Sequence, residues 1–179
     1  MNAFRFSPRP NRAHEIHWQE WGPEALQEAQ RMDRPVILGI SAVWCHWCHV
    51  MDETTYSDPR VIELLNREFI PIRVDNDRRP EVNQRYNMGG WPTTAFLTPQ
   101  GDILTGATYL PPQSLISTAE QIVQYYRTRK TELYSRILEQ RARAAPPPSV
   151  VPPAPGEVAP KVLSYLTRAY DSEYGGFGQ

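Results

Sequence analysis

The chain has 179 residues, enough for one domain or for one domain and part of another. Hydrophobic residues make up 40% and charged residues 22%, a balance that supports a packed core and excludes global disorder. With 19 basic and 20 acidic residues the net charge is −1, so neither a nucleic acid nor an anionic membrane is indicated as a partner.

No apolar run approaches the ~20 residues of a membrane span. Residues 1–12 lack the apolar stretch of a secretory signal, which makes the cytoplasm the expected location. The first expected helix opens at Trp21-Gly22-Pro23-Glu24, where proline suits the first turn and an acid lies near the positive helix end. Ala25, Ala29 and Met32 form its apolar face, and Asp33-Arg34-Pro35 ends it. Val36 to Ile40 is a continuous apolar run between breakers, the pattern of a strand buried on both faces. After a cysteine-bearing segment, Asp58-Pro59 caps a helix running to Glu68, and Phe69 to Val74 reads as a second strand. Pro80 opens a short helix that ends near Gly89-Gly90. Thr93 to Leu97 is the third strand, and Pro99-Gln100-Gly101 turns the chain into a fourth, Ile103 to Thr105. Leu115, Ala119, Ile122, Tyr126, Leu133 and Ile137 then share one face of a single long helix after Pro111-Pro112.

The first two strands are expected to be parallel and the last two antiparallel, which gives an α/β sandwich with a mixed central sheet over residues 1–143. Seven prolines fall between Ala144 and Pro160, a composition that favours extended backbone and reads as a semi-rigid linker. Beyond it, Val162, Leu163, Leu166 and Ala169 recur at helical spacing, so residues 161–179 are expected to begin a second, helical domain.

Chemistry concentrates in Trp44-Cys45-His46-Trp47-Cys48-His49, directly after the first buried strand and at the start of a helix. Two cysteines at this spacing can close a small disulfide ring. The first sulfur then lies beside unpaired N–H groups at the positive helix end, which stabilises its thiolate. His46 between them, if cationic, would favour the thiolate further. In that reading Cys45 attacks and Cys48 resolves. Cys45-His46-Trp47-Cys48-His49 also matches the spacing of covalent haem attachment. That chemistry belongs to exported chains, and a mixed βαβ order is an unusual host for it. Cys45, His46, Cys48 and His49 are adequate donors for zinc, but neighbours on one helix diverge, and His14 and His17 lie in an N-terminal arm with no evident structure. A pair of buried structural thiols is the remaining alternative, weakened by the tryptophans and histidines packed around it.

A second signal lies downstream, where Gly89-Gly90-Trp91-Pro92-Thr93 sets a proline immediately before the third strand. With the Cys45/Cys48 pair after the first strand, this order resembles the thioredoxin superfamily, in which a cis X-Pro-Thr step faces the cysteine pair. The segments CHWCHVM (45–51), VDNDRRPEV (74–82), GGWPTTAFLTPQG (89–101) and GATYLPP (106–112) are similar to the thioredoxin-like family that includes spermatogenesis-associated protein 20.

The resemblance implies a thioredoxin-like three-layer sandwich that performs or senses thiol–disulfide exchange with a protein or small-thiol disulfide. It implies catalytic positions at Cys45, Cys48 and Pro92; His46 between the cysteines is counted with them, and Trp44, Trp47 and Trp91, which flank the thiols, are expected to form a substrate rim. No organic cofactor and no metal are implied. It also implies a following α/α-barrel domain, which residues 171–178 resemble at its opening, so that the chain reads as a piece of a longer protein. The alternative within the same resemblance is a non-catalytic interaction or regulatory module attached to that barrel. Three features depart from the pattern. Gly39 stands where thioredoxins bury an acid, Pro71 stands near the usual lysine, and Val43-Trp44 replaces a small Ser/Thr pair. Proton transfer to the resolving thiol would then fall to His46, His49 or water.

Of the other residues, Asp75-Asn76-Asp77 with Arg78-Arg79 reads first as a solvated loop with a capping acid and salt bridges, and second as a small ligand site. Trp18, Trp21 and the Tyr125-Tyr126 pair are expected to pack.

Overall fold

The structure, a computed structural model, describes residues 6–143, 156, 158–171 and 175–176. The chain divides into two compact units, Met1–Leu138 and Glu139–Gln179.

The first unit is built on the apolar run that the sequence singles out. It forms strand β1 (Val36–Ser41), and all six of its residues are buried. Strand β2 (Ile70–Asp75) lies parallel to it, with Val36 opposite Ile70. On its other side β3 (Thr93–Leu97) is antiparallel, with Ile40 opposite Thr93, and β4 (Ile103–Ala107) pairs antiparallel with β3. The sheet order is β2-β1-β3-β4.

Strand alternation divides this sheet into two faces. Val36, Leu38, Ile40, Ile70, Ile72, Val74, Ala95 and Leu97 point to one side. There they meet Ala25 and Ala29 of helix α1 (Pro23–Met32), and Val82 and Tyr86 of α4 (Pro80–Tyr86). Ile37 and Phe96 point to the other side. Their partners are Met51 of α2 (His46–Glu53), Val61 and Leu65 of α3 (Pro59–Glu68), and Leu115 and Ala119 of α5 (Pro112–Thr128). The result is a three-layer sandwich, helices over each face of a mixed sheet.

Local chemistry places the helix starts. Pro23, Pro59, Pro80 and Pro112 occupy first turns, where a missing N–H loses nothing. Asp58 caps α3 by accepting the Arg60 N–H at 2.9 Å. α1 ends at Asp33, in the left-handed region at φ 52°.

Four expectations need correction. Met32 is exposed, because the buried stripe of α1 closes at Ala29. The single long helix is two, since Arg129 leaves the helical region and α6 (Lys130–Arg143) starts anew. Tyr126, Leu133 and Ile137 nevertheless share one cluster across the break, so the apolar spacing is satisfied by both segments together. The N-terminal arm is built into the fold. Phe6, Ala13 and Ile16 are buried, and Asn66 accepts the His17 N–H at 2.8 Å and donates to the Glu15 carbonyl at 2.9 Å. Gln19 bridges β2 as a short parallel edge, donating to the Pro71 carbonyl at 2.9 Å and accepting from the Arg73 N–H at 3.0 Å.

The fourth correction concerns the second unit, where helix α7 (Val158–Ala169) begins before Lys161 and takes Pro160 into its first turn. Val162, Leu163, Tyr165 and Leu166 are exposed along it. Residues 144–155 and 157, most of the proline-rich segment, lie outside the described residues, as do 172–174 and 177–179 near the end. Among the described residues no helix is long and apolar enough to cross a membrane.

Candidate active site

The cysteine segment follows β1 and turns at once into α2. The Cys45 N–H donates to the Ala42 carbonyl at 3.1 Å, which closes the turn and sets Cys45 at the N-cap. Cys45 and Cys48 are joined by a disulfide with their Cα atoms 5.2 Å apart. The backbone N–H of Cys48 donates to Cys45 Sγ at 3.2 Å, within the field of the positive helix end. Cys45 is 7% exposed and Cys48 0%, so the two cysteines are unequal in access. Together with Ala42 they form a small apolar cluster.

Because Ile40 is opposite Thr93, the residues preceding β3 emerge at the same sheet end as those following β1. Pro92 lies there, and its peptide bond with Trp91 is cis. The sequence-predicted rim assembles around this end. Trp44 meets Trp91 edge to face at 5.5 Å between centroids, and Trp47 lies tilted against Tyr109 at 5.3 Å. Trp44, Trp47 and Trp91 are all exposed, which is unusual for indoles in a folded unit of this size.

Their polar ends are tied back to the protein. Trp44 Nε1 donates to Asp77 at 2.9 Å, and Trp91 Nε1 donates to Asn83 at 3.0 Å. The ring faces therefore remain for apolar contact while the N–H groups are occupied. Asp77 belongs to the turn in which Asp75 accepts the Asp77 N–H at 3.0 Å and pairs with Arg78 at 3.7 Å, a capped and salt-bridged loop. Arg79 turns instead to Glu81 and to the Trp21 carbonyl.

The histidines stand apart from each other. His46 packs its ring against Trp47 at 5.7 Å, while His49 Nε2 lies 2.7 Å from the Val43 carbonyl. With the sulfurs joined and the imidazoles turned to separate partners, the four zinc-type donors do not converge. Among the described residues no group of three or more His, Cys, Asp and Glu side chains is arranged to hold a metal ion.

Sequence reasoning missed the polar cluster under α2. Arg73 of β2 and Asp52 of α2 form an ion pair with both side chains fully buried. Arg73 Nη2 also donates to Ser41 Oγ at 3.2 Å, and the Ser7 N–H donates to Asp52 Oδ2 at 3.2 Å. The guanidinium lies over the rings of Phe6, Tyr56 and Trp18 at 4.6, 5.0 and 5.1 Å. Among the described residues Arg73 Nε and Arg73 Nη1 have no hydrogen-bond partner. Burial raises the Tyr56 phenol above its ordinary value, against the opposing pull of Arg73.

Gly39 borders this cluster, since a Cβ there would stand 3.1 Å from the Tyr56 hydroxyl and 3.7 Å from Trp18. Tyr56 and Trp18 thus fill the space that a side chain at position 39 would take. The signal that could have revealed the cluster is an arginine at the centre of an otherwise apolar strand, with an acid seven residues after the first cysteine.

Comparison with known proteins agrees with this geometry. Human spermatogenesis-associated protein 20 is 29% identical over 92% of this chain, although the chain spans only 23% of that relative's length. Thiol:disulfide interchange protein DsbD of Campylobacter jejuni is 32% identical over 39% of the chain and 13% of its own. A thioredoxin from Thermus thermophilus superposes with a TM-score of 0.55 at 27% identity, over 62% of this chain and 89% of its own. The fold is therefore thioredoxin-like. The Thioredox_DsbH family model, described as "Protein of unknown function, DUF255", matches residues 9–143, and the chain belongs to that family.

Proposed function

We propose that this domain catalyses thiol–disulfide exchange with protein substrates, Cys45 acting as nucleophile and Cys48 as the resolving thiol. The observation that carries the reading is the Cys45–Cys48 disulfide at the N-terminus of α2, with Cys45 the more accessible residue.

In the reduced protein the Cys45 thiolate attacks a substrate disulfide. A Cys45–substrate bond forms, the substrate S–S bond breaks, and the first substrate sulfur leaves as a thiolate that takes a proton. Cys48 then loses its proton and attacks Cys45 Sγ, which expels the second substrate sulfur and closes the Cys45–Cys48 bond. Two electrons pass from the cysteine pair to the substrate, and the reverse sequence oxidises a substrate dithiol. Trp44, Trp47 and Trp91 offer ring faces to the segment flanking the substrate cysteine, while Pro92 and His46 border the same end of the sheet. We read residues 161–179 as the opening of a helical domain, a reading supported by the exposed apolar face of α7.

The test is equilibration against glutathione buffers followed by alkylation and mass spectrometry. One two-electron transition between roughly −120 and −270 mV is expected, the span of working oxidoreductases. With Cys48→Ser, substrate should be trapped on Cys45, and with Cys45→Ser trapping should vanish. A pair that no glutathione ratio reduces, or trapping that survives Cys45→Ser, overturns the proposal.

A further inference from the structure

The buried ion pair lies beside the resolving thiol. Asp52 is four residues beyond Cys48 on α2, and both side chains are fully buried, so they share the inward helix face at neighbouring turns. Arg73 ties that face to the end of β1, because it holds Asp52 and Ser41 together, and Ser41 adjoins Ala42 of the cysteine cluster. A buried ion pair adds little to stability over apolar side chains of equal volume. In a low-dielectric interior, however, it acts strongly on any neighbouring group that gains or loses charge. Cys48 is such a group, since it must become anionic to close the disulfide.

We infer that Asp52 is a positioning residue for the redox step, its buried carboxylate opposing negative charge on Cys48 and Arg73 limiting that opposition. This rests on the exchange reading above. Among the described residues, the other ionisable groups around Asp52 are engaged elsewhere or neutral. Glu53 accepts from Arg9 at 2.9 Å and from Ser7 Oγ at 2.5 Å, His49 faces the Val43 carbonyl, and burial favours the neutral phenol of Tyr56. The sign follows from the charges. Asp52→Asn removes the negative end and leaves Arg73 uncompensated, and both changes favour the Cys48 thiolate. The dithiol form is thereby stabilised wherever that thiolate is populated, and the effect fades as pH falls and both thiols become protonated in either protein.

The reaction to follow is dithiol protein plus glutathione disulfide giving disulfide protein plus two glutathione thiols. Two electrons pass to glutathione, and each of its sulfurs takes a proton. Wild type, Asp52→Asn and the double replacement Asp52→Leu/Arg73→Met are compared from about pH 6 to 9, with near-UV circular dichroism as the check of folding. At about pH 9 Asp52→Asn should shift the equilibrium toward the dithiol about tenfold, equivalent to about 30 mV for a two-electron couple. At about pH 6 it should lie within about twofold of wild type. The double variant should move in the same direction by less, and it decides the matter if the single variant fails to fold. A shift of equal size at all pH values is the mark of a merely structural role and overturns the inference. So do no shift in either variant and a shift toward the disulfide. A wild-type protein that never equilibrates with glutathione refutes the exchange reading instead.

Discussion

The two faces of the central sheet are built from the same strands by the same alternation, yet they differ in kind. The face under α1 and α4 is lined by Val36, Leu38, Ile40, Ile70, Ile72, Val74, Ala95 and Leu97. The face under α2, α3 and α5 carries Ile37 and Phe96, but also Arg73 and Ser41 from the same strands, and it meets Asp52 and Tyr56. One face is close to an aliphatic core. The other places charge in the interior beneath the helix that begins with the cysteine pair. The difference teaches that the two packings are under separate demands. Apolar area explains the first face, whereas the second needs an explanation through the chemistry above it.

The strongest way to break this comparison is to remove half of the buried pair. Asp52→Ala leaves Arg73 uncompensated and should lower unfolding free energy by about 3–5 kcal/mol in urea titrations. Asp52→Leu/Arg73→Met should instead stay within about 1 kcal/mol of wild type, because apolar side chains substitute well for a whole buried pair. If the double variant loses as much as the single one, the pair is structural and the two faces do not differ in kind.

On the aliphatic face the expected behaviour is the reverse. Leu38→Ala should cost about 3 kcal/mol by lost burial and cavity formation. It should leave the glutathione equilibrium of the folded protein unchanged. A shift in that equilibrium would show that the first face also reaches the thiols.

Much of this arrangement was legible in the sequence, for stated physical reasons. The run Val36–Ile40, the Asp58-Pro59 cap and the Thr93–Leu97 strand are governed by local signals that tertiary contacts did not override. The cysteine segment and Trp91-Pro92 were legible because the cysteine spacing at a helix start and a proline just before a strand are local signals, and the antiparallel pairing of β1 with β3 brings the two to one end of the sheet. The break at Arg129 was not legible, since neither Gly nor Pro marks it and the apolar spacing continues through it. The ion pair was hidden for another reason. Asp52 reads as an ordinary surface acid on a short helix, and its burial depends on Arg73, Ser7 and Phe6, which are distant in sequence. The indole bonds of Asp77 and Asn83 were hidden likewise, because only the fold shows which N–H each one receives.

A smaller effect tests how polar the aliphatic side really is. Tyr86 belongs to its cluster, yet its hydroxyl donates to the Gly101 carbonyl at 2.9 Å. Tyr86→Phe keeps the ring against Trp21 and removes that bond, so it should cost about 1 kcal/mol. A loss several times larger would mean that this face also depends on a polar anchor.

The smallest effect is expected at the exposed counterpart of the buried pair. Asp33 accepts from Lys130 Nζ and from the Tyr126 hydroxyl, the latter at 2.9 Å, with side-chain exposures of 60% for Asp33 and 40% for Lys130. These hydrogen bonds, Lys130's first, hold its carboxyl below the usual carboxylate range. A carboxyl lowered in the folded state contributes stability that is present above its ordinary value, near 4. That contribution is lost as pH falls through the lowered folded value. Solvent screens a pair this exposed, so the contribution should be under about 1 kcal/mol and should shrink with added salt. Asp33→Asn isolates the charge, since asparagine tolerates the left-handed backbone at φ 52° that ends α1. The variant should therefore lie slightly below wild type at about pH 7 in urea titrations and converge with it as pH falls below the lowered folded value. A loss comparable to that of Asp52→Ala would show that exposure does not separate the two pairs, and the contrast between a charge placed for chemistry and a charge placed at the surface would fail.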